Sequence, residues 1–237
     1  MRFIRASAYD FYSLPFSGGG TAGAGGEGGE GFEFVGQDHV THDKRRGILM
    51  MGSAHTINVD AVLFVLDEVV PRLRRLSVTE EELVVHIIGP NMNHQTAVSE
   101  HVESKVVRLH GRVRGPELDA LFRTSKVFLS PVVSGPASFK TKNLEALGRG
   151  LPVVTCRLGA LGLLRPPSEA TLSHTGVSIV ACSPEKVAVM VQQYLQNASM
   201  WTQASDGARA FAQKHFHPRN LEREVAALLA ADLSPKL

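Results

Sequence analysis

Short runs of consecutive apolar residues alternate along this chain with longer segments whose apolar positions recur every three or four residues. Gly47 to Ser53 (GILMMGS) is one such run, closed by small residues, and predicts a buried strand. Asn58 to Leu76 follows, with Val62, Val65, Leu66, Val69, Leu73 and Leu76 on one helical face. Asn58 and Asp60 stand where a helix start favours short polar or acidic side chains. Leu83 to Ile88 (LVVHII) reads as a second strand, stopped by Gly89 and Pro90, and Val106 to Leu109 as a third, stopped by Gly111. Glu117 to Arg123 predicts a short helix, Lys126 to Ser130 a fourth strand, and Lys140 to Arg149 a helix closed by Gly150 as a C-terminal cap. Pro152 to Thr155 and Val177 to Ala181 read as fifth and sixth strands. Pro184 to Asn197, Trp201 to Lys214 and Arg219 to Leu229 are helical stretches.

Continuous apolar strands between amphipathic helices imply a parallel sheet covered on both faces. The fold class expected is α/β: a Rossmann-like three-layer domain with a mostly parallel six-stranded sheet. Ligands of such sheets bind at the carboxyl ends of the strands. Candidate chemistry therefore belongs at Ser53 to Asn58, Gly89 to Asn93, His110 to Arg114, Pro131 to Lys142 and Cys156 to Gly162.

Composition narrows the picture. Of 237 residues, 43% are hydrophobic, enough for one sizeable core. A net charge of +2 with 20% charged residues gives no support to nucleic-acid binding. Residues 17 to 32 (SGGGTAGAGGEGGEGF) are low in complexity and are expected to be disordered. No strand precedes them and no helix follows, so a phosphate-cradling glycine loop is disfavoured. The expected organisation is an N-terminal segment over 1–46 that is largely disordered and a globular domain over 47–232. The two cysteines, Cys156 and Cys182, do not read as a disulfide framework or a metal site. His215 and His217 form an isolated His-x-His pair at a helix end, and no metal is expected. No apolar run approaches a membrane span, and Met1 to Phe16 lacks a signal-peptide core, interrupted as it is by Asp10. A cytoplasmic protein is the default expectation.

The segment from Ser130 to Leu163 carries the chemistry: SPVVSGPASFKTKNLEALGRGLPVVTCRLGALGL. A strand ends at Ser130-Pro131, and a loop of small residues runs from Ser134 to Ser138 into a helix. Free backbone N–H groups and the positive end of that helix then face the crevice. Lys140 and Lys142 oppose the helix dipole there, which disfavours them unless an anion such as a diphosphate sits nearby. Glu145, five residues beyond Lys140, could accept hydrogen bonds from two vicinal hydroxyls of a ribose, or pair with Arg149 at i+4.

This segment resembles the donor-binding motif of GT-B glycosyltransferases of family 4, in the group whose form is roughly GAGxKxKxLEALAxGxPVVTTxxGAxGL. Lys140, Lys142, Leu144 to Leu147, Gly150, Pro152 to Thr155, Gly159, Ala160, Gly162 and Leu163 match it. GSAHTINVDAVLFVLDEVVPRL, LVVHIIGP and VVRLHGRVRGPELDALFRTSKVFLSP are similar to the preceding strands, helix and turns of the family's second domain, so the resemblance covers about residues 47 to 229. It implies the C-terminal half of a GT-B fold and hexosyl transfer from a nucleotide-sugar donor, with retention of configuration and no metal or other cofactor. Glu145 would bind the ribose. Gly135, Ser138, Phe139, Lys140 and Lys142 would hold the diphosphate. Gly111, Arg112 and Val113 would contact the base, and His55 and Asn58 at the first strand end are further candidates. Catalytic residues of the acceptor domain are not among them, so an acceptor-binding domain or partner chain is implied.

Departures from the family pattern are specific. The first acid of its Glu-x7-Glu pattern falls at Ala137, its two loop glycines at Pro136 and Ser138, and Ser53 to Asp60 holds no Arg or Lys. These motivate the alternative of a non-catalytic or truncated remnant that binds a nucleotide or a partner. A GT-B-fold epimerase, which would need acids and histidines at several strand ends, is a weaker third reading. His110 and Trp201 read as structural residues, and Arg157 as solvent-facing.

Overall fold

A computed structural model describes residues 40–103, 105–135, 139–163, 175–217, 219–220, 222–223 and 226. Six strands form one sheet: β1 (Ile48–Met51), β2 (Val85–Ile88), β3 (Val107–Gly111), β4 (Val127–Ser130), β5 (Val153–Cys156) and β6 (Val177–Val180). Their spatial order is β3-β2-β1-β4-β5-β6, and every neighbouring pair is parallel. The chain therefore leaves β1 toward one edge and resumes at β4 on the other side. A crevice opens at the carboxyl ends where the winding reverses in this way.

The helices between these strands are α1 (Thr56–Leu63), α2 (Val70–Arg75), α3 (Thr96–Ser99), α4 (Gly115–Thr124) and α5 (Thr141–Gly148); α6 (Pro184–Gln196) and α7 (Ala198–Phe216) follow β6. Successive strand residues point to opposite faces, so Ile48 and Met50 join one core and Leu49 the other. The first core packs Val62, Val65, Leu66, Val69 and Leu73 with Val187, Val191 and Leu195 of α6. The second packs Leu121 and Phe122 of α4, Leu144 and Leu147 of α5 and Phe211 of α7 against Phe128 and Val153. The three-layer architecture expected from the apolar pattern is the one observed.

The stretch read as one helix from Asn58 to Leu76 is continuous but contains a π-helical turn, Phe64–Val69, between α1 and α2. It lies just ahead of Pro71, which has no N–H and whose ring obstructs the regular i→i−4 ladder. The start of this helix differs from expectation: the N-cap is His55, and its side chain makes no capping bond. Asn58 and Asp60 lie inside the helix, where Asn58 donates to Ser53 O at 2.9 Å and Asp60 accepts from Ser134 Oγ at 2.9 Å. The short helical turns between Met92 and Glu103 carry no periodicity long enough to announce them.

The cysteine expectation is overturned. Cys156 and Cys182 are disulfide-bonded, with Cα atoms 5.3 Å apart. Cys156 pairs with Val180 in the β5–β6 register, which brings the residue two positions further along within reach. Their separation of 26 positions concealed this, since only the adjacency of two parallel strand ends closes the distance.

Packed structure also begins upstream of Gly47. Arg45 is 1% exposed. Its Nη1 donates to Phe122 O at 2.9 Å and Ser125 O at 3.0 Å, and its guanidinium lies 5.0 Å from the Trp201 ring centre. The glycine-rich segment 17–32, expected to be disordered, lies outside the described residues, as does most of the helix expected from Arg219 to Leu229.

Candidate donor-binding site

Helix α5 is the element that builds the site. Lys140 occupies its N-cap in an extended conformation and supplies no side-chain cap. Backbone N–H groups of a helix's first turn have no partner within the helix itself. At the other end Gly150, at φ +67°, lets Leu151 N bond Ala146 O at 2.9 Å and its own N bond Leu147 O at 2.9 Å. This paired closure needs a left-handed residue, hence glycine. Leu144, Ala146 and Leu147 bury the helix against the sheet and leave Lys142 and Glu145 at the cavity side.

The cavity measures about 490 Å³ and sits at the winding reversal. The end of β1 (Met51 to Ser53), the end of β2 (Ile88 to Pro90) and the turn after β3 (Arg112, Val113) form three sides, with Leu118 of α4. Phe139, Lys140, Thr141, Lys142 and Glu145 close the fourth, and Asn58 reaches in from α1. Phe139 is held in place by Phe216, whose ring centre is 6.0 Å away. Three cations, Arg112, Lys140 and Lys142, face one carboxylate, so the cavity suits an anion together with a hydroxyl-bearing group.

Lys142 Nζ donates to Met51 O at 2.8 Å and to Asn58 Oδ1 at 3.2 Å. Burial, with Lys140 nearby, holds its ammonium down from 10.5 to about 8. The Glu145 side chain is 8% exposed, and Oε1 accepts from Arg149 Nη1 at 3.0 Å. Burial pushes this carboxyl up; the Arg149 charge pulls it down, and Asp119 adds a weaker push upward. Arg149 in turn donates from Nη2 to Asp119 Oδ1 at 2.9 Å. Glu145 is therefore both paired with Arg149 and part of the cavity wall.

The site residues expected from sequence divide into those around the cavity and those apart from it. Arg112, Val113, Phe139, Lys140, Lys142, Glu145 and Asn58 line it. His55 is exposed at the N-cap of α1 and Gly111 sits at the end of β3, where its carbonyl accepts from Gly89 N at 2.7 Å; neither is a lining residue. Gly135 lies against Ile57, leaving no room for a Cβ, and is also outside the lining. Ser138, with Pro136 and Ala137, lies outside the described residues. Ser53, Pro90, Leu118 and Thr141 were missed. The strand-end rule took in Ser53, Pro90 and Thr141, but nothing local marks Leu118 on a helix wall. His110 shares a 2.9 Å hydrogen bond with His86, a structural role as expected. Among the described residues no group of three or more His, Cys, Asp or Glu could hold a metal ion, and no helix is long and apolar enough to cross a membrane.

A family model described as "Glycosyl transferases group 1" matches residues 45–197. The chain belongs to the group 1 glycosyltransferases. This group 1 member resembles Anabaena HepE, solved in complex with UDP and glucose, at a TM-score of 0.58 and 12% identity, over 80% of this chain and 49% of that one. It also resembles the sucrose-phosphate synthase of Thermosynechococcus elongatus (TM-score 0.58, 14% identity, 78% of this chain and 45% of that one). WaaG, a glycosyltransferase involved in lipopolysaccharide biosynthesis, is similar at a TM-score of 0.55 and 16% identity, over 78% and 47%. At such identities the likeness establishes the fold: a Rossmann-like half of a GT-B architecture. The chain spans about half the length of these proteins. None of the curated proteins matches it.

Proposed function

We propose that this domain binds a nucleoside-diphosphate sugar and serves as the donor half of a hexosyl-transferring enzyme that retains configuration. The observation that carries the reading is the convergence of Lys140, Lys142 and Glu145 on one cavity at the amino end of α5. The diphosphate would meet Lys140, Lys142 and the amino end of α5, which supply fixed positive charge as the leaving group separates, without a metal. Glu145 would accept the ribose hydroxyls, and Arg112, Val113 and Leu118 would flank the base. An acceptor domain or partner chain would complete the site. That the solved relative HepE holds UDP and glucose supports this choice of donor class.

We further propose that the folded unit takes in Arg45 beside the 47–232 expected from sequence, and works in the cytoplasm. Thiol buffers there disfavour disulfides, so the exposed Cys182 end of the cross-link would be open to reduction.

Calorimetric titration of the full chain with UDP, GDP and their glucose conjugates, in the presence of a chelator, tests the reading. Binding that weakens on Glu145→Ala is expected. Silence with every nucleotide, or binding indifferent to that substitution, contradicts it.

A further inference from the structure

Arg149 is the residue behind the candidate ribose carboxylate, and two carboxylates and an aromatic ring surround its guanidinium. Its side chain is 11% exposed. One arm of the guanidinium, Nη1, reaches Glu145 Oε1 on α5 at 3.0 Å; the other, Nη2, reaches Asp119 Oδ1 on α4 at 2.9 Å. The guanidinium carbon, Cζ, lies 4.6 Å from the centre of the Phe122 ring, which itself stacks on Phe128 at 6.1 Å with 16° between planes. A planar fork clamped by two carboxylates and an aromatic face has little rotational freedom left.

The geometry matters because of where each end leads. Glu145 lines the cavity, and Asp119 follows Leu118, which lines it from the other side. A lone glutamate in a partly buried wall would have several rotamers and would take up a proton more readily as burial increases. Tied at Oε1, it presents a fixed acceptor to the cavity.

We propose that Arg149 is a positioning residue: by bridging Asp119 and Glu145 it holds the Glu145 carboxylate in the orientation that selects a ribose nucleotide over one lacking the ribose hydroxyls. This rests on the reading that Glu145 grips the ribose. Arg149 is not among the residues lining the cavity and would act through Glu145.

The test uses UDP and 2′,3′-dideoxy-UDP, titrated into the full chain and into Arg149→Met, Arg149→Lys, Glu145→Gln and the Arg149→Met/Glu145→Gln pair. The unaltered chain should prefer UDP by roughly ten- to a hundredfold, the range for hydrogen bonds to a charged group. Arg149→Met should bring that ratio toward one while leaving dideoxy-UDP affinity unchanged, Arg149→Lys should restore part of it, and Arg149→Met should add nothing to Glu145→Gln. The acid limb of UDP binding should move to higher pH in Arg149→Met. The proposal is overturned if Arg149→Met keeps the full preference, or weakens both nucleotides equally as general loosening would. Should Arg149→Met fail to fold, Arg149→Lys decides, since a preference unaltered in that variant also overturns the proposal. An unaltered chain with no preference, or a Glu145→Gln variant that keeps it, instead removes the underlying ribose assignment.

Discussion

Lys142 Nζ lies 3.2 Å from Asn58 Oδ1, so a lysine on α5 is hydrogen-bonded to an asparagine on α1 across the end of β1. That bond and the one to Met51 O hold an ammonium at the rim of the cavity while burial lowers its proton affinity to about 8. In the free protein the charge is present below that value and lost above it. Nucleoside-diphosphate affinity is therefore expected to fall as pH rises through about 8. In Lys142→Arg, whose guanidinium stays charged throughout, the fall should disappear. Isothermal titration with UDP across this range checks it; a flat wild-type profile contradicts it.

The cavity also depends on how closely two strand ends approach. A Cβ at Gly89 would stand 1.8 Å from Gly52 O, a backbone atom that cannot swing aside. Gly89→Ala is expected to cost about 1–3 kcal/mol of stability, the range for overpacking. It should weaken nucleotide binding too, because Gly52 and Gly89 both line the cavity. Urea unfolding alongside a UDP titration would measure both, and an unchanged denaturation midpoint would refute the prediction.

What the sequence made legible was set by periodicity and by local motif. All six strands, the run from α1 to α2, and α4 to α7 are continuous stretches whose burial pattern is written into neighbouring residues. The positions of Lys140, Lys142 and Glu145 on one cavity followed from one helix start. Relations across the sheet were not legible. The Asn58–Lys142 bond joins residues 84 apart, and the Asp119–Arg149 pair residues 30 apart. The Cys156–Cys182 bond depends on strand adjacency. His55 stands outside the cavity lining for a related reason: a strand-end address places a residue near the crevice but does not say which way the first helical turn directs it.

The disulfide closes a loop across β5 and β6. By loop-closure entropy, a bond between residues 26 apart contributes about 3 kcal/mol to stability. Reduction, or Cys182→Ser, should therefore lower the melting temperature by a similar amount in each case. Thiol titration of the unfolded, unreduced protein should find no free cysteine. Two reactive thiols, or a melting temperature indifferent to reductant, would contradict this.

His86 and His110 share a hydrogen bond of 2.9 Å on the β2–β3 side of the sheet. Burial, then the neighbouring His110 and Arg108, hold His86 down at about 4 from 6.5. Burial also lowers His110, against the opposing pull of Glu117. Above 6.5 neither folded nor unfolded His86 binds the proton; between 6.5 and about 4 only the unfolded chain does. Stability must then fall as pH drops through that window. Melting temperatures from neutral pH down to about 4 should decline more steeply in the wild type than in His86→Phe. Parallel slopes would contradict the assignment.

The most direct test of the central claim is a crystal structure of the full chain grown with UDP. The account predicts the diphosphate at the amino end of α5 within hydrogen-bonding distance of Lys140 or Lys142, and the ribose hydroxyls on Glu145. Nucleotide bound elsewhere on the sheet, or in this cavity with its ribose turned away from Glu145, would contradict it.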